Sequence, residues 1–232
     1  MAVAIVTGAS RGLGRALAIG LAAEGWDLVV DARAEGPLQE AARRAEEFGA
    51  RVRAVAGDVG DPAHRWELVK AATAMGSLGL LVNNAGSLGP SPLPALSSVD
   101  VEAMGQLFMV NVLAPLALVQ LALPALRANH GTAVAVTSDA AADAYEGWGP
   151  YGASKAALEQ LHHVLATEEP DVVVIRFDPG DMWTQMHQEA FPGEDISDRS
   201  PPEVAAAALL RLLASTPASG RYHAAELVEQ VA

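Results

Sequence analysis

Short apolar runs alternate with segments of helical period along the whole chain. Runs of about four to eight apolar residues are typical of buried strands, and apolar residues three and four apart are typical of helices packed on one face. The predicted strands cover residues 3–7, 28–32, 51–56, 78–83, 133–137 and 172–177. The predicted helices cover residues 15–24, 37–48, 62–75, 101–127, 154–168 and 202–214. This alternation predicts an α/β fold with a parallel sheet covered by helices on both faces.

No linker or repeat interrupts the alternation, so residues 1–232 are expected to form a single domain. Segment 101–127 contains Pro115 and Pro124, which predict a kink or an early end of that helix. No apolar run reaches the roughly 20 residues that a membrane helix needs. The chain also starts with an apolar strand and not with a basic leader segment. We therefore expect a soluble, cytoplasmic protein without a membrane partner.

Composition excludes several classes of site and partner. The chain has no cysteine, which excludes disulfides, a thiolate nucleophile and thiolate-bound zinc. Its 15 basic residues stand against 28 acidic ones, a net charge of -13, whereas a nucleic-acid-binding protein usually carries a basic patch. His162 and His163 are adjacent and point to different helix faces, and His187 and Glu189 lie in a predicted loop without a third ligand. No metal site is therefore expected.

The first predicted strand ends in a glycine-rich turn, Thr-Gly-Ala-Ser-Arg-Gly-Leu-Gly, which leads into the first helix. Glycines in such a turn permit a tight bend, close approach of the backbone to a pyrophosphate and close packing of helix on strand. The helix N-terminus adds free N–H groups and a positive dipole end for phosphates. An ordinary turn can contain glycines too, but this one lies where a βαβ unit binds a dinucleotide. The predicted cofactor contacts are Gly8, Ser10, Arg11, Gly12, Leu13 and Gly14.

Tyr151 and Lys155 are four residues apart on a predicted helix, so they share one face with Cβ atoms about 5–6 Å apart. The pair stands out because the chain has three tyrosines and only two lysines, Lys70 and Lys155. An ammonium group favours the phenolate, so Lys155 is expected to lower the pKa of Tyr151 from about 10 toward neutrality. A tyrosine with such a pKa can exchange a proton with a carbonyl or alcohol oxygen.

The glycine spacing, Thr-Gly-x-x-x-Gly-x-Gly, resembles that of the short-chain dehydrogenase/reductase family, and further motifs follow in that family's order over residues 3–185. Asp58-Val59 resembles its adenine-contacting pair, Asn83-Asn84-Ala85-Gly86 its Asn-Asn-Ala-Gly motif, and Pro179-Gly180 with Thr184 its nicotinamide loop. The resemblance implies a Rossmann-type doubly wound sheet that binds a nicotinamide cofactor. The contacts it implies are Asp58, Val59, Asn84, Ala85, Gly86, Tyr151, Lys155, Pro179, Gly180 and Thr184.

Four residues fall where the family has its catalytic residues: Asn111, Ser138, Tyr151 and Lys155. The resemblance implies hydride transfer between the nicotinamide and a carbonyl or alcohol substrate, with Tyr151 as general acid or base. It implies that Asn111 anchors a water in a proton relay to Lys155. Ser138 follows a strand at the sheet edge where ligands bind, so its hydroxyl can hold the substrate carbonyl. Without the family, Asn111 is a buried hydrogen-bonding asparagine and Ser138 a turn or cap residue. The alternative function is a nucleotide-binding regulator of the same fold without turnover.

Two residue types compete for the adenosine ribose at the end of the second strand. Asp31 favours NADH through the 2′-hydroxyl, whereas Arg33 favours NADPH through the 2′-phosphate. In the family, the acid that selects NAD usually stands where Ala32 does, and NADPH-preferring members commonly carry a basic residue at the position of Arg11. We expect Arg11 and Arg33 to clamp the phosphate, with Asp31 on the opposite face of the strand. The predicted cofactor is therefore NADP, contacted at Ala32 and Arg33.

Three segments that follow strands, residues 87–96, 139–148 and 181–199, are expected to line the substrate pocket. They hold one basic residue, Arg199, which favours a small and mainly apolar ketone or aldehyde without strong negative charge. The predicted lining residues are Ser138, Tyr145, Trp148, Met182, Trp183 and Met186. Asp181 either contacts the nicotinamide carboxamide or, as we expect, caps the next short helix.

Segments 101–127 and 154–168 are apolar over more than one face. The resemblance implies that these two helices pair across a two-fold axis, which predicts a homodimer or homotetramer. The C-terminus departs from the family, which often ends in a strand followed by Asp-Gly-Gly, because residues 220–223 read Gly-Arg-Tyr-His. That departure, together with a modest segment after Thr184, leaves the tetramer and a substrate lid open.

Overall fold

A seven-stranded, entirely parallel sheet forms the centre of the computed structural model, which describes residues 2–229. The strand order is β3-β2-β1-β4-β5-β6-β7. The strands are β1 Ala2–Val6, β2 Asp27–Ala32, β3 Val52–Ala56, β4 Ser77–Asn83, β5 Thr132–Val136, β6 Val173–Asp178 and β7 Gly220–His223. The order reverses at β1, as in a doubly wound fold, so the crevice between β1 and β4 lies at the topological switch point.

The helices cover both faces of the sheet. They are α1 Gly12–Ala23, α2 Glu35–Glu46, α3 Pro62–Met75, α4 Val101–Phe108, α5 Ala114–Ala128, α6 Gly149–Glu168, α7 Gln185–Ala190, α8 Pro202–Ala214 and α9 Ala224–Glu229. Along β1, Ala4 and Val6 belong to the core beneath α1, α2 and α8, whereas Val3 and Ile5 belong to the core beneath α3 and α5. Both faces of the strand are therefore buried, and this is why the strands read as continuous apolar runs.

The segment from α4 to α5 differs from its sequence prediction in two ways. It runs continuously over Val101–Ala128, with a π-helical turn at Met109–Leu113, and Pro115 is the second residue of α5. The segment is also long and apolar enough to cross a membrane, so the expectation that no such run exists was wrong. Its α5 side chains instead pack beneath the sheet, Leu118 and Leu126 among them.

Three short elements were missed by the sequence analysis. Strand β7 pairs with β6, with Asp178 opposite His223, and α9 follows it. Helix α7 contains His187 and Glu189, which were expected in a loop. Each element is four to six residues long, too short to show a helical or strand period.

Candidate functional site

Parallel strands end at one edge of the sheet, and ligands of such folds bind in the crevice outside those ends. Residues 8–14 follow β1, Arg33 follows β2, Asp58 follows β3, and Asn84 follows β4. Ser138 follows β5 and Pro179 follows β6. The predicted cofactor and catalytic residues are therefore gathered along one edge of the sheet.

The turn after β1 is close enough to its surroundings to require glycine. A Cβ added at Gly14 would lie 2.3 Å from the carbonyl oxygen of Gly8 and 2.4 Å from Asn84 Nδ2, and one added at Gly8 would lie 2.9 Å from Ala85 Cα. Gly8 and Gly12 also have φ of +68° and +54°, a left-handed region that favours glycine. The first turn of α1 can therefore approach the end of β4 without side chains in between.

Thr7, at the end of β1, holds the end of β4 in place. Its Oγ1 accepts hydrogen bonds from the amides of Asn84 and Ala85, both at 3.0 Å, and Asn84 Nδ2 donates to the Thr7 carbonyl at 2.8 Å. The side chain of Asn84 is thus used to join two loops, and the backbone of Ala85 and Gly86 borders the crevice.

Asp31 lies under the glycine turn, where it is only 1% exposed. Its Oδ1 accepts from the Gly8 amide at 2.8 Å, and its Oδ2 lies 3.1 Å from His64 Nε2 on α3. The hydrogen bond to Asp31 raises the pKa of His64, although burial acts in the opposite direction. Both carboxylate oxygens therefore have partners inside the protein. His64 was not singled out from the sequence, because a lone histidine 33 residues from Asp31 carries no local signal.

Exposed arginine side chains border the β1–β2 end of the crevice. Arg33 is exposed directly after β2 and has no ion-pair partner among residues 2–229, whereas Ala32 is buried. Arg11 donates a hydrogen bond to Gln185 on α7. On the other side, Asp58 accepts from the Gly60 amide at 2.8 Å.

Tyr151 and Lys155 both lie on α6 and are buried. Lys155 Nζ donates to the Val136 carbonyl at 2.8 Å and lies 5.6 Å from the centroid of the Tyr151 ring. Burial lowers the pKa of Lys155 to about 8. Burial, together with the charges of Asp178 and Asp139, raises the pKa of Tyr151. The prediction that the pKa of Tyr151 falls toward neutrality is therefore wrong. The spacing of Tyr151 and Lys155 indicated how close the two side chains are, but not how deeply they are buried.

Ser138 begins a short 3₁₀ turn, Asp139–Ala141, at the end of β5. Its hydroxyl donates to Asp139 Oδ1 at 2.9 Å, and the Tyr145 hydroxyl donates to Asp139 Oδ2 at 2.9 Å. A hydrogen bond with Ser138 lowers the pKa of Tyr151, against the larger effect of burial. Asp139 thus orients two predicted site residues, although the sequence analysis did not single it out.

Asn111 is buried within the π-helical turn, a feature that often marks functional sites. Its Nδ2 donates to the Ser87 carbonyl at 2.9 Å and to Ser154 Oγ at 3.0 Å, and its Oδ1 accepts from the Ser87 amide at 2.8 Å. A Cβ added at Gly86 would lie 3.4 Å from Asn111 Oδ1 and 3.8 Å from Lys155 Nζ. The asparagine and the lysine therefore flank the same glycine, and the asparagine side chain is fixed by protein groups.

An apolar cluster surrounds Tyr151. It contains Leu88, Ala140, Tyr151 and Ala190, with Leu93, Trp148, Met186 and Phe191 packed against them. Trp148 meets the Tyr151 ring edge-on, with centroids 5.6 Å apart. Of the predicted lining residues, Trp148 and Met186 join this cluster, Tyr145 and Trp183 are 47% and 59% exposed, and Met182 does not belong to it. Met182 packs against the core beneath α8, because it forms a β-bridge with Ser200.

The loop after β6 closes the remaining side of the crevice. Thr184 Cγ2 lies 3.5 Å from the position of a Cβ at Gly12, so this loop reaches the glycine turn. Thr184, and not Asp181, caps α7 by accepting from the His187 amide at 3.3 Å. Asp181 lies 3.5 Å from Arg199 and 3.8 Å from His187, and the expected capping role is therefore wrong.

Comparison with known proteins places this arrangement in a family. The family model of short chain dehydrogenases matches residues 2–195. An uncharacterized oxidoreductase of Saccharomyces cerevisiae is 38% identical over 187 residues, 79% of this chain and 72% of its own. Sepiapterin reductase of Rattus norvegicus is 35% identical over 202 residues, 82% of this chain and 77% of its own. The X-ray structure of an alcohol dehydrogenase from the archaeon Thermococcus sibiricus, complexed with 5-hydroxy-NADP, has a TM-score of 0.87 at 27% identity and covers 96% of both chains.

The chain belongs to the short-chain dehydrogenase family. Short-chain dehydrogenases are oxidoreductases that act on CH–OH and C=O groups of small molecules with a nicotinamide cofactor, and this chain is one of them. The turn at Gly8, Gly12 and Gly14 fits such a cofactor, since it brings backbone N–H groups and a helix N-terminus to the crevice without a Cβ in the way. The family's doubly wound sheet was predicted from the sequence and is confirmed.

Proposed function

We propose that this short-chain dehydrogenase reduces a neutral, mainly apolar ketone or aldehyde with hydride from NADPH, and that Tyr151 donates the proton. The observation that carries the proposal is the position of Tyr151, buried in the apolar cluster at the sheet edge and next to Ser138 and Lys155. Because burial raises the pKa of Tyr151, the phenol stays protonated at neutral pH. A protonated tyrosine suits the reduction of a carbonyl, in which it acts as an acid.

When bound, the dihydronicotinamide supplies the hydride that becomes the new C–H bond of the alcohol. Tyr151 gives its phenolic proton to the carbonyl oxygen, which becomes the alcohol hydroxyl. The Ser138 hydroxyl turns from Asp139 to donate to the same oxygen, and it polarises the C=O bond as charge develops there. The tyrosine and serine therefore face one atom of the substrate.

Lys155 returns a proton toward Tyr151 after each turnover. With a pKa of about 8, its ammonium is acidic enough to exchange protons close to neutral pH. Asn111 lies beside it at Gly86 and fixes the loop of Ser87 and the hydroxyl of Ser154, which supports a role in placing the path to solvent. The remaining cofactor contacts are proposed as predicted: Gly8, Ser10, Arg11, Gly12, Leu13, Gly14, Ala32, Arg33, Asp58, Val59, Asn84, Ala85, Gly86, Pro179, Gly180 and Thr184.

The test of the mechanism is Tyr151→Phe, which keeps the ring packing with Trp148 and removes the proton. We expect normal folding and cofactor binding and a loss of about 10²–10⁴-fold in kcat, the range for general acid–base catalysis. NADPH oxidation is followed with a panel of ketones, diketones, aldehydes and quinones. Retention of more than about a tenth of wild-type turnover would exclude Tyr151 as the acid. Tight NADPH binding without turnover of any compound by the wild type would favour the regulator without enzymatic activity.

Preference for NADPH is supported by the two residues that compete for the ribose. Asp31 has both oxygens engaged, with Gly8 and His64, whereas Arg33 is exposed directly after β2. A charge-assisted hydrogen bond is worth about 1.5–3 kcal/mol, so we expect Arg33→Ala to lower the NADPH-to-NADH ratio of kcat/KM by about 10- to 100-fold. Arg53→Ala is the matched control, because Arg53 lies near the start of β3, away from the strand ends that border the crevice. A wild-type preference for NADH, or an unchanged ratio in Arg33→Ala, would contradict the proposal.

The charges around the pocket support a neutral substrate. Asp139 and Asp181 are exposed at its rim, and Arg199 is paired with Asp181 and Asp198, so no free cation faces an anionic group in this part of residues 2–229. An anionic thioester would meet repulsion there. Faster turnover of an acyl thioester than of every neutral ketone or aldehyde in the panel would overturn this part of the proposal.

We further propose a homodimer or homotetramer formed through α4, α5 and α6, and a cytoplasmic location. Large apolar side chains are exposed along these helices, among them Met109, Leu113, Leu121 and Val164. Exposed apolar patches on an otherwise acidic protein support an interface between copies of this chain. A monomer in sedimentation at micromolar concentration would contradict the oligomer.

A further inference from the structure

A buried carboxylate lies behind the loop that follows β6. Asp178 ends β6 directly before Pro179 and is 3% exposed. Its Oδ1 accepts from the Gly180 amide at 3.0 Å. Its Oδ2 lies 3.2 Å from Arg221 Nη2 and 3.3 Å from His223 Nδ1, both on β7. The loop after β6 is therefore anchored to a strand that follows it by about forty residues.

Arg221 connects three elements at this point. Its Nε donates to Glu159 Oε1 on α6 at 2.8 Å, and its Nη2 donates to the carbonyl of Ser138 at 3.3 Å and to Asp178 at 3.2 Å. Its Nη1 contacts His223. A planar guanidinium with five donors can hold several acceptors in fixed directions, which an ammonium cannot do. The side chain is about three-quarters buried, at 23% exposure.

The same carboxylates act on the catalytic pair. Glu159 lies one helical turn beyond Lys155 on α6, as Lys155 lies one turn beyond Tyr151. The charge of Asp178 adds to burial in raising the pKa of Tyr151. The charges of Asp178 and Glu159 oppose the burial that lowers the pKa of Lys155.

The charged groups that face this cluster come from every element around it. Asp139 on the turn after β5 also raises the pKa of Tyr151. Burial raises the pKa of Asp178, and the charges of Arg221 and His223 on β7 act against that rise. The guanidinium of Arg221 is thus the cation that touches both Asp178 and Glu159.

We propose that Arg221 is a positioning residue for the reduction: it fixes the backbone of Ser138 and compensates Asp178 and Glu159, so that the hydroxyls of Ser138 and Tyr151 stay aligned on the substrate. The inference rests on the proposed role of Tyr151. Arg221 does not touch the substrate. It acts through the end of β5, the end of β6 and the face of α6 that carries the catalytic pair.

The test compares Arg221→Gln, which removes the charge, with Arg221→Lys, which keeps the charge without the planar fork. We expect kcat of Arg221→Gln to fall by about 10- to 100-fold, since small misplacement of reacting groups costs up to about 10²-fold. KM for NADPH changes much less than kcat, because Arg221 does not contact the glycine turn and reaches the loop after β6 only through Asp178. The alkaline limb of the kcat profile moves to higher pH, because Asp178 and Glu159 lose their cation. The charge of Asp178 then holds the protons of Tyr151 and Lys155 more tightly, and that of Glu159 holds the proton of Lys155 more tightly. Arg221→Lys keeps the position of the limb and regains part of kcat.

Arg127→Gln is the matched control. Arg127 also pairs with a glutamate, Glu169, through contacts of 2.6 and 2.5 Å, but at the ends of α5 and α6 and so at the opposite edge of the sheet. This variant is expected to keep the wild-type kcat and pH profile. In Arg221→Gln/Asp178→Asn the limb returns toward lower pH, because one uncompensated charge is gone, while kcat stays low.

Three results would overturn the inference: a folded Arg221→Gln with wild-type kcat and limb, a double variant whose limb equals that of Arg221→Gln, or an equal effect of Arg127→Gln. If Arg221→Gln does not fold, the double variant carries the same expectation for kcat, and wild-type kcat there would overturn it. Full activity of Tyr151→Phe would instead overturn the proposed function, so the two failures are distinguishable.

Discussion

Asp31 is next to last in β2 and Asp178 is last in β6, so they lie in opposite halves of the sheet: the cofactor half around β1 and β2, and the substrate half around β5 to β7. Each accepts a hydrogen bond from the amide of a left-handed glycine. Gly8 donates to Asp31 and Gly180 donates to Asp178, at 2.8 and 3.0 Å, and the two glycines have φ of +68° and +69°. Both turns border the crevice. Glycine allows the left-handed conformation of such a turn but does not hold the turn in it. In both halves of this site, a hydrogen bond to a buried carboxylate holds the turn in place.

The two anchors differ in where they come from and in what balances their charge. Asp31 holds a turn 23 residues before it and meets His64, which is buried on α3. Asp178 holds a turn two residues after it and meets Arg221 and His223 at the partly exposed edge strand β7. Asp31 therefore holds a turn that is distant in the chain and meets a titratable group alone. Asp178 holds a local turn, and the permanent cation of Arg221 lies beside His223 there.

The largest effect is expected from Asp31→Ala. It leaves the Gly8 amide and the His64 ring without their partner inside the core, and breaking a buried pair in this way costs about 3–5 kcal/mol. We expect a loss of about 3 kcal/mol in the free energy of unfolding, measured by urea denaturation, and weaker NADPH binding, measured by fluorescence titration.

Asp27→Ala on the same strand is the matched control. Asp27 is equally buried, but its partner Arg51 is 56% exposed and lies at the other edge of the sheet. Because water can solvate the arginine, we expect a loss of about 1–2 kcal/mol and unchanged NADPH affinity. Equal losses in the two variants, or unchanged affinity in Asp31→Ala, would show that burial alone and not the contact with Gly8 matters.

A smaller loss is expected from Asp178→Ala. Arg221 keeps its contact with Glu159 and is partly solvated, so removal of the carboxylate leaves no fully buried cation. We expect a loss of about 1–2 kcal/mol in the free energy of unfolding. NADPH affinity is expected to change less than in Asp31→Ala. If Asp178→Ala proves the less stable of the two variants, the distinction between a long-range and a local anchor is wrong.

Local patterns in the sequence predicted most of the fold and the site residues that belong to short motifs. The central strands were found because both of their faces are buried, as Val3 and Val6 show on β1. The glycine turn and the spacing of Tyr151 and Lys155 were found because they depend on residues close together in the chain. These features need no knowledge of which strands are neighbours.

What the sequence missed depends on contacts between distant residues. Asp178 meets Arg221 only because β7 pairs in register with β6, and β7 is too short to be recognised by period. The tyrosine pKa was predicted in the wrong direction, because it depends on burial and on Asp139 and Asp178 more than on the neighbouring Lys155. Such charges become neighbours only after folding.

The smallest effect, and the most specific to the comparison, is a pH dependence of stability in the cofactor half. The folded pKa of His64 lies above its ordinary value of 6.5, mainly because Asp31 accepts a hydrogen bond from its imidazole ring. The folded state therefore binds this proton more tightly than the unfolded state. The resulting stability is fully present below pH 6.5 and is lost as pH rises through the folded pKa, at about 1.4 kcal/mol for each unit by which that pKa is raised.

Two further buried basic groups change stability with pH, and each does so in its own range. Burial lowers the pKa of His162 to about 4, so stability rises between about pH 4 and 6.5, and burial lowers that of Lys155 to about 8, so stability rises between about pH 8 and 10.5. Urea denaturation of wild type and His64→Gln from pH 5 to 10 isolates the His64 contribution as the difference between the two curves. We expect that difference to be largest at pH 5 and to shrink as pH rises through the folded pKa of His64. A difference that stays constant with pH would mean that Asp31 holds a neutral histidine, and the two halves of the site would then not differ in a titratable cation.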